Sequence, residues 1–325
     1  EVIDKYEDMY PNVKVRVESQ QWDTMSAKFF AAHQTGNAPD VIFVNVTNLG
    51  EAIKLGAVEP LENLFLSEWS QEQIDDINDV RFQMGATNDT HYQAYMFVNA
   101  YGIIYRADLF EKFGIDPNFK TWDDVLAAAQ KLTFTDPETG MKVWGLGTGY
   151  SEDAADSSYL LTAIVTNFGD VIDENGKAAW DNEIGAEALQ FQVDLVNKYG
   201  VMPPSCITQT SEEVYADFTA GKFAMITGGS VRIPKLRSES TFDPNAVQIT
   251  AFPAINGNPG KGLSGGWNVC IWSKSKHKEE AGRFLELMIS PEFDKRWVEE
   301  GGQVPMLKST VEGMKEFFAQ PQNQY

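Results

Sequence analysis

Val13, Val15 and Val17 alternate with Lys14, Arg16 and Glu18, a period of two that predicts a half-buried strand. Trp22, Met25, Ser26 and Phe29 then fall at helical spacing, up to the turn signal Gly36-Asn37-Ala38-Pro39. Val41-Ile42-Phe43-Val44 is a short continuous apolar run, the pattern of a buried parallel strand. A second helix carries Leu49, Ala52 and Ile53 and stops at Gly56. The opening therefore reads β-α-β-α with short connections, which predicts an α/β architecture with a parallel sheet.

The middle follows the same logic. Gly102-Ile103-Ile104-Tyr105 is a strand, and Thr121 caps a helix with Asp124 at the capping-box position. That helix has Trp122, Val125, Leu126, Ala129 and Leu132 on one face. A helix is predicted over Ala186 to Tyr199, ending at Gly200. Strands are predicted at Phe223-Ala224-Met225-Ile226, at Val247 to Phe252 and at Asn268 to Trp272. Lys278 to Ile289 is an amphipathic helix, and Ser290-Pro291-Glu292 starts another with Ser290 as N-cap and Pro291 at N1. No tandem repeat points to a solenoid.

The chain has 325 residues, enough for roughly two domains. With 43% apolar and 22% charged residues it has the composition of a globular protein. Lys and Arg total 26 against 47 Asp and Glu, a formal charge of −21. That balance argues against nucleic acid as a partner, since affinity for it comes largely from cations that displace counterions. It also argues against docking on anionic lipid headgroups. No apolar run approaches the roughly 18 residues of a membrane span, and no basic-plus-apolar leader opens the chain. The first residues read as the middle of a helix, so a longer protein trimmed at its front is expected. Cys206 and Cys270 sit in no zinc, redox or disulfide spacing and read as free, partly buried thiols.

A search for catalytic chemistry finds little. His33, His91 and His277 form no metal-ligand pair and read as surface or helix-flank residues. Asp123-Asp124, Glu279-Glu280 and Glu299-Glu300 lie at helix starts or on helix faces, where acids complement the dipole or face water. Gly145-Leu146-Gly147-Thr148-Gly149 lacks the dinucleotide spacing, and Gly260-Lys261-Gly262 is not a phosphate loop. Asn45-Val46-Thr47 and Asn88-Asp89-Thr90 fit a glycosylation pattern that short sequences often match by chance. No metal, cofactor or enzyme activity is expected.

The chain is instead rich in amides and aromatics beside predicted strand ends. Gln20-Gln21-Trp22-Asp23 follows the first strand, and Asn45, Thr47 and Asn48 follow the second. Gly228-Gly229-Ser230 and then Arg232 follow a later one, and Gly265-Gly266-Trp267-Asn268 borders another. Open α/β sheets bind ligands outside the carboxyl ends of their strands. Amides and hydroxyls both donate and accept, and flat aromatics cover the C–H faces of a sugar ring. The plainer reading is that Asn45 and Ser230 cap helices and Trp22 is core; the shared strand-end location favours a pocket for a neutral polyol.

The chain resembles the extracellular solute-binding proteins of ABC importers, the sugar-binding group that includes maltose-binding protein. The matching pieces are Tyr10-Pro11-Asn12-Val13-Lys14-Val15, Ala38-Pro39-Asp40-Val41, Leu55-Gly56-Ala57-Val58-Glu59-Pro60-Leu61 and Tyr105-Arg106-Ala107-Asp108-Leu109-Phe110. Thr121-Trp122-Asp123-Asp124, Phe218-Thr219-Ala220-Gly221-Lys222 with Ala224-Met225, Gly265-Gly266-Trp267 and Ser290-Pro291-Glu292 continue the series in order. The resemblance implies a periplasmic-binding-protein-like clamp of two lobes, each a mostly parallel sheet flanked by helices. Residues 1–99 and 267–302 are expected in lobe one and 100–266 and 303–325 in lobe two. The chain then crosses near Asn99, near Gly266-Trp267 and near Gly302-Val304, and hinge closure traps the ligand.

The same resemblance assigns ligand contacts to Asn45, Thr47, Asn48, Asn99, Ser230, Gly266 and Trp267, and more loosely to Tyr150 and Ser157. Gln21, Trp22 and Arg232 join them from the strand-end pattern. It implies a carbohydrate ligand, ABC permease subunits as partners, a monomer, and a place in the periplasm or lipid-anchored on the extracellular face of the cytoplasmic membrane. The family's first strand and its C-terminal helices are expected outside this chain. Two alternatives stand beside it. One is the same clamp with a charged solute, an anion drawn to Arg232 or a polyamine to Asp23 and Asp156. The other is a glycoside hydrolase with paired carboxylates.

Overall fold

A computed structural model describes residues 1–20, 22–77, 86–87, 90–151, 156–166, 170–253, 263–320 and 323; for a few of these, among them 22–23, 45–47, 96–98, 156–159, 263–264 and 266–267, it describes the backbone alone. The chain divides into two compact units. Unit 1 is Glu1–Asn99 with Gly265–Lys315, and unit 2 is Ala100–Ser264 with Glu316–Tyr325.

In unit 1, strand β1 (Val41–Asn45) follows helices α1 (Val2–Met9) and α2 (Trp22–Thr35) and runs into helix α3 (Val46–Lys54). A long strand, β2 (Ala94–Arg106), carries the chain out of unit 1 into unit 2. Strand β5 (Leu263–Ile271) brings it back, and helices α8 (Lys278–Met288) and α9 (Pro291–Gly301) complete the unit. In unit 2, β2 is followed by helices α4 (Trp122–Lys131), α5 (Asp156–Thr166), α6 (Glu183–Asn197) and α7 (Ser211–Thr219), and by strands β3 (Met225–Gly229) and β4 (Val247–Ala251).

Strand alternation builds the three layers of unit 1. β1 and β5 pair antiparallel with Val41 opposite Ile271 and Asn45 opposite Trp267. Val269 and Ile271 point into one core with Val41 and Phe43, covered by Ala281, Leu285 and Met288 of α8. Ile42, Val44, Cys270 and Trp272 point into the other, covered by Phe29 of α2 and by Leu49 and Ala52 of α3. Gly56 closes α3 with φ +61°, and Ala57 N–H returns to Ala52 O at 2.9 Å, the left-handed cap predicted there.

Unit 2 has a single core that takes Ile103, Ile104, Phe218, Phe223 and Ile226 together with the buried face of α4. Thr121 and Asp124 form the expected capping box, Asp124 N–H donating to Thr121 Oγ1 and Thr121 N–H to Asp124 Oδ2. β2 pairs antiparallel with both β3 and β4. Between them Gly102 lies where a Cβ would sit 2.2 Å from Thr250 O, so only glycine lets the strands approach. Parallel pairing, the expected form, is present as bridges of Trp144 with Phe223 and Gly147 with Ile226, whereas the described ladders are antiparallel.

Several expectations are corrected. Val13 to Val17 is assigned no strand and joins no ladder, and Val17 is 68% exposed: alternation needs a partner strand, and none of the described residues supplies one. Residues 303–315, expected in lobe two, pack on unit 1, where Leu307 bridges Ile77 and Ser309 bonds Asp76. Pro291 opens α9 as expected, but the Ser290 side chain makes no capping bond. α6 begins at Glu183, earlier than predicted, because Asn182 Oδ1 accepts from Ile184 N–H. His33 is a core residue, buried against the Trp272 indole, whose Nε1–H donates to His33 Nδ1 at 3.1 Å. Both thiols are free and fully buried. Burial pushes Cys206 up to about 11 and Cys270 higher still.

Candidate functional site

Each unit gathers candidate residues at strand ends. In unit 1, Asn45 is the last residue of β1 and Trp267 of β5 faces it in register. Thr47 and Asn48 follow in the first turn of α3, with no acidic residue in that turn. α2 packs against β1 and runs back along it, 14 residues against five. At about 1.5 Å per helical residue, its first turn at Trp22 returns to the level of Asn45. Two helix N-termini, of α2 and α3, therefore lie near the carboxyl end of β1. Gln21 lies outside the described residues, and the contacts of Trp22, Asn45, Thr47, Gly266 and Trp267 rest on backbone position. Asn48 is half-buried. Asn99 ends the unit 1 part of β2, 5% exposed, with its Oδ1 buried and unpartnered.

In unit 2, Ser230 and Tyr150 lie past the carboxyl ends of neighbouring strand segments. Gly147 bridges Ile226 in parallel, and one residue on the Thr148 and Thr227 hydroxyls bond at 2.6 Å. Tyr150 N–H then donates to Cys206 O at 2.9 Å. The Tyr150 hydroxyl is buried without a partner, and burial pushes its pKa well above the ordinary phenol value, so it is a neutral donor. Ser230 is fully buried, and its Oγ accepts from Ala100 N–H at 3.3 Å. That bond ties the loop after β3 to β2, so Ser230 holds the backbone as well as ending the strand. Ser157 lies in the first turn of α5, placed by its backbone alone.

Arg232 is engaged elsewhere. Its Nη2 lies 2.6 Å from Glu212 Oε1, and its guanidinium stacks over the Tyr215 ring at 4.9 Å. Lys235 reaches the same Glu212 carboxylate at 3.4 Å. Both cations beside the Gly228-Gly229-Ser230 loop thus share the one Glu212 carboxylate, and the candidate groups Asn45, Asn99, Tyr150 and Ser230 at the strand ends carry no charge. Among the described residues no group of three or more His, Cys, Asp or Glu could hold a metal ion, and no helix is long and apolar enough to cross a membrane.

Asn268, grouped with Trp267 in the strand-end pattern but not assigned a contact, is wholly buried with neither amide atom bonded. It heads the apolar run Val269-Cys270-Ile271. The Thr148–Thr227 pair had no local signal, since it joins segments far apart in the chain.

The family model for the bacterial extracellular solute-binding protein matches residues 1–295. A binding protein of Brucella abortus (strain 2308) is 23% identical over 95% of this chain and 72% of its own length. The sn-glycerol-3-phosphate-binding periplasmic protein of Escherichia coli (strain K12) is 23% identical over 88% of this chain and 65% of its own. Among solved structures, an ABC transporter solute-binding protein of Thermotoga lettingae bound with α-D-tagatose superposes with TM-score 0.83 and 26% identity, over 99% of this chain and 81% of that one. One from Agrobacterium vitis S4 with bound D-mannitol gives TM-score 0.76 and 25% identity, over 99% and 76%. The two-unit α/β fold, the neutral strand-end groups and the family match agree: the chain belongs to the bacterial extracellular solute-binding protein family.

Proposed function

We propose that the protein captures an uncharged sugar or oligosaccharide and delivers it to the permease of an ABC importer, without any chemical step. Asn45, Thr47, Asn48, Asn99 and Trp267 serve as contacts from unit 1, with Gln21, Trp22 and Gly266 beside them. Tyr150, Ser157 and Ser230 serve from unit 2. The protein works as a monomer outside the cytoplasmic membrane, in a periplasm or on a lipid anchor.

The observation that carries the neutral reading is the state of Arg232. A free cation favours a phosphate or carboxylate ligand, and this guanidinium is already held by Glu212 and Tyr215. The relatives differ on this point, since one is named for glycerol phosphate while the tagatose and mannitol complexes hold neutral polyols. The paired cations of this chain favour the second group.

Calorimetric titration with D-tagatose, D-mannitol, maltotriose, arabino-oligosaccharides, sn-glycerol 3-phosphate and spermidine tests the reading. Saturable binding of a neutral carbohydrate, with no heat from the phosphate or the polyamine, is expected. Binding of the phosphate alone would overturn the ligand class, and release of chromophore from nitrophenyl glycosides would overturn the absence of catalysis.

A further inference from the structure

The glycine-rich stretch Gly145 to Gly149, which has no dinucleotide spacing, leads directly to Tyr150, and Gly228-Gly229 leads directly to Ser230. The two stretches run side by side in unit 2. Trp144 N–H donates to Lys222 O at 2.8 Å, Gly147 N–H to Met225 O at 2.9 Å and Thr227 N–H to Gly147 O at 3.1 Å. Among the described residues no backbone bond joins the two stretches beyond that point. Tyr150 N–H turns instead to Cys206 O and Ser151 N–H to Gln209 O, while Gly228 and Gly229 pair with Gly102 and Tyr101 of β2.

Where the backbone bonds end, a side-chain bond takes over. The Thr227 hydroxyl donates to Thr148 Oγ1 at 2.6 Å, with Thr148 wholly buried and Thr227 1% exposed. Only glycine separates each threonine from the candidate contact that follows it: Gly149 before Tyr150, and Gly228-Gly229 before Ser230. The glycines are there for close approach. A Cβ on Gly149 would sit 2.6 Å from Gln209 O, and one on Gly147 would sit 2.8 Å from the Phe223 ring. Thr148 and Thr227 are therefore the last side chains that can fix the spacing of the two stretches before they reach Tyr150 and Ser230.

We propose that Thr148 and Thr227 are positioning residues for sugar binding: their buried hydroxyl bond sets the separation of Tyr150 and Ser230, the proposed contacts of unit 2. A ligand that bonds two groups at once binds more tightly when their spacing is fixed before it arrives, because less ordering is left to do on binding. A hydrogen bond fixes distance and direction, whereas an apolar contact of the same shape is not directional. Exchanged against water, one such bond adds little to stability, so its consequence is geometric. The inference rests on the solute-binding reading above and concerns the same site.

The test compares two double variants of the full chain, Thr148→Val with Thr227→Val and Thr148→Ser with Thr227→Ser, using D-tagatose, D-mannitol and maltotriose as probes. The valine pair removes donor and acceptor together, so its melting midpoint should stay within about 2 °C of wild type. Its affinity for the sugar that the wild type binds should fall by about tenfold. The serine pair keeps both hydroxyls and should bind within about twofold of wild type. In hydrogen exchange without ligand, the Tyr150 and Ala100 amides, bonded to Cys206 O and Ser230 Oγ, should lose protection in the valine pair while those of Ile103 and Ile104 keep it. Wild-type affinity in the valine pair, or an equal loss in the serine pair, would overturn the proposal. So would loss of protection throughout unit 2, which would make the bond a contact of the fold alone. Should the valine pair fail to fold, Thr227→Ala must lose affinity and Thr227→Ser keep it. A wild type that binds none of the sugars would sink the functional reading, while exchange at Tyr150 and Ala100 would still decide whether the threonines hold them.

Discussion

Asp294 offers a sharp quantitative test of how the last part of unit 1 is held. This carboxylate on α9 is 1% exposed, and its Oδ1 accepts from Met306 N–H at 3.0 Å. Its Oδ2 accepts from Met306 N–H at 3.1 Å and from Leu307 N–H at 3.0 Å. Met306 packs on Tyr95 and Leu307 enters the core under α8, so both amides are dry. Asp294→Ala leaves two buried donors without an acceptor at about 1–3 kcal/mol each, so unit 1 should lose about 4 kcal/mol. Asp294→Asn keeps one carbonyl acceptor but loses the charge and sets an amide N–H against a donor, and should cost about 2 kcal/mol. Urea unfolding gives the totals. Hydrogen exchange gives the location, because the Met306 and Leu307 amides should lose protection before those of β1. A loss below about 0.5 kcal/mol for the alanine variant would show that water or another group satisfies these amides and would refute the clamp.

Trp267→Ala should weaken sugar binding by about 1–3 kcal/mol, by analogy with buried aromatic hot spots, and leave the fold intact; wild-type affinity in titration would remove Trp267 from the site. Gly102→Ala should destabilise unit 2 by about 1–3 kcal/mol, because the added Cβ meets Thr250 O at 2.2 Å; an unchanged urea midpoint would contradict the close approach of β2 and β4. His33 accepts the Trp272 indole N–H and is held below its ordinary pKa by burial and, second, by Lys274, so the unfolded chain takes the proton first. Its contribution is complete above about pH 6.5 and is lost as pH falls toward the lowered folded value. Melting at pH 7.5 and 5.5 should show a larger acid loss for wild type than for His33→Gln, and equal losses would count against it.

How much of this could be read along the chain depends on whether the deciding contact is local. The capping box of Thr121 and Asp124 and the left-handed Gly56 are complete within one turn, so the sequence shows them directly. A strand is not local. Val13 to Val17 has the period of a half-buried strand, yet the described structure gives it no neighbour to pair with. His33 looked like a helix-flank residue because the indole that buries it comes from Trp272, far along the chain. The strand-end candidates were legible because a strand that ends in a polar residue announces its carboxyl end, as Asn45 does after Val41-Ile42-Phe43-Val44.

Charge at the site behaves differently. Counting residues gives −21 for the whole chain but not the availability of Arg232, which depends on where Glu212 and Tyr215 lie once α7 has folded beside the loop after β3. The ion pair is half-exposed and so adds little to stability. Its consequence is for ligand choice: a phosphate must compete with a carboxylate already in place, whereas a sugar hydroxyl needs no cation. On the proposed reading, a surface pair that barely matters to folding sets the class of solute, and its two members come from different elements of unit 2, so the pairing is legible in the fold and only faintly in the composition.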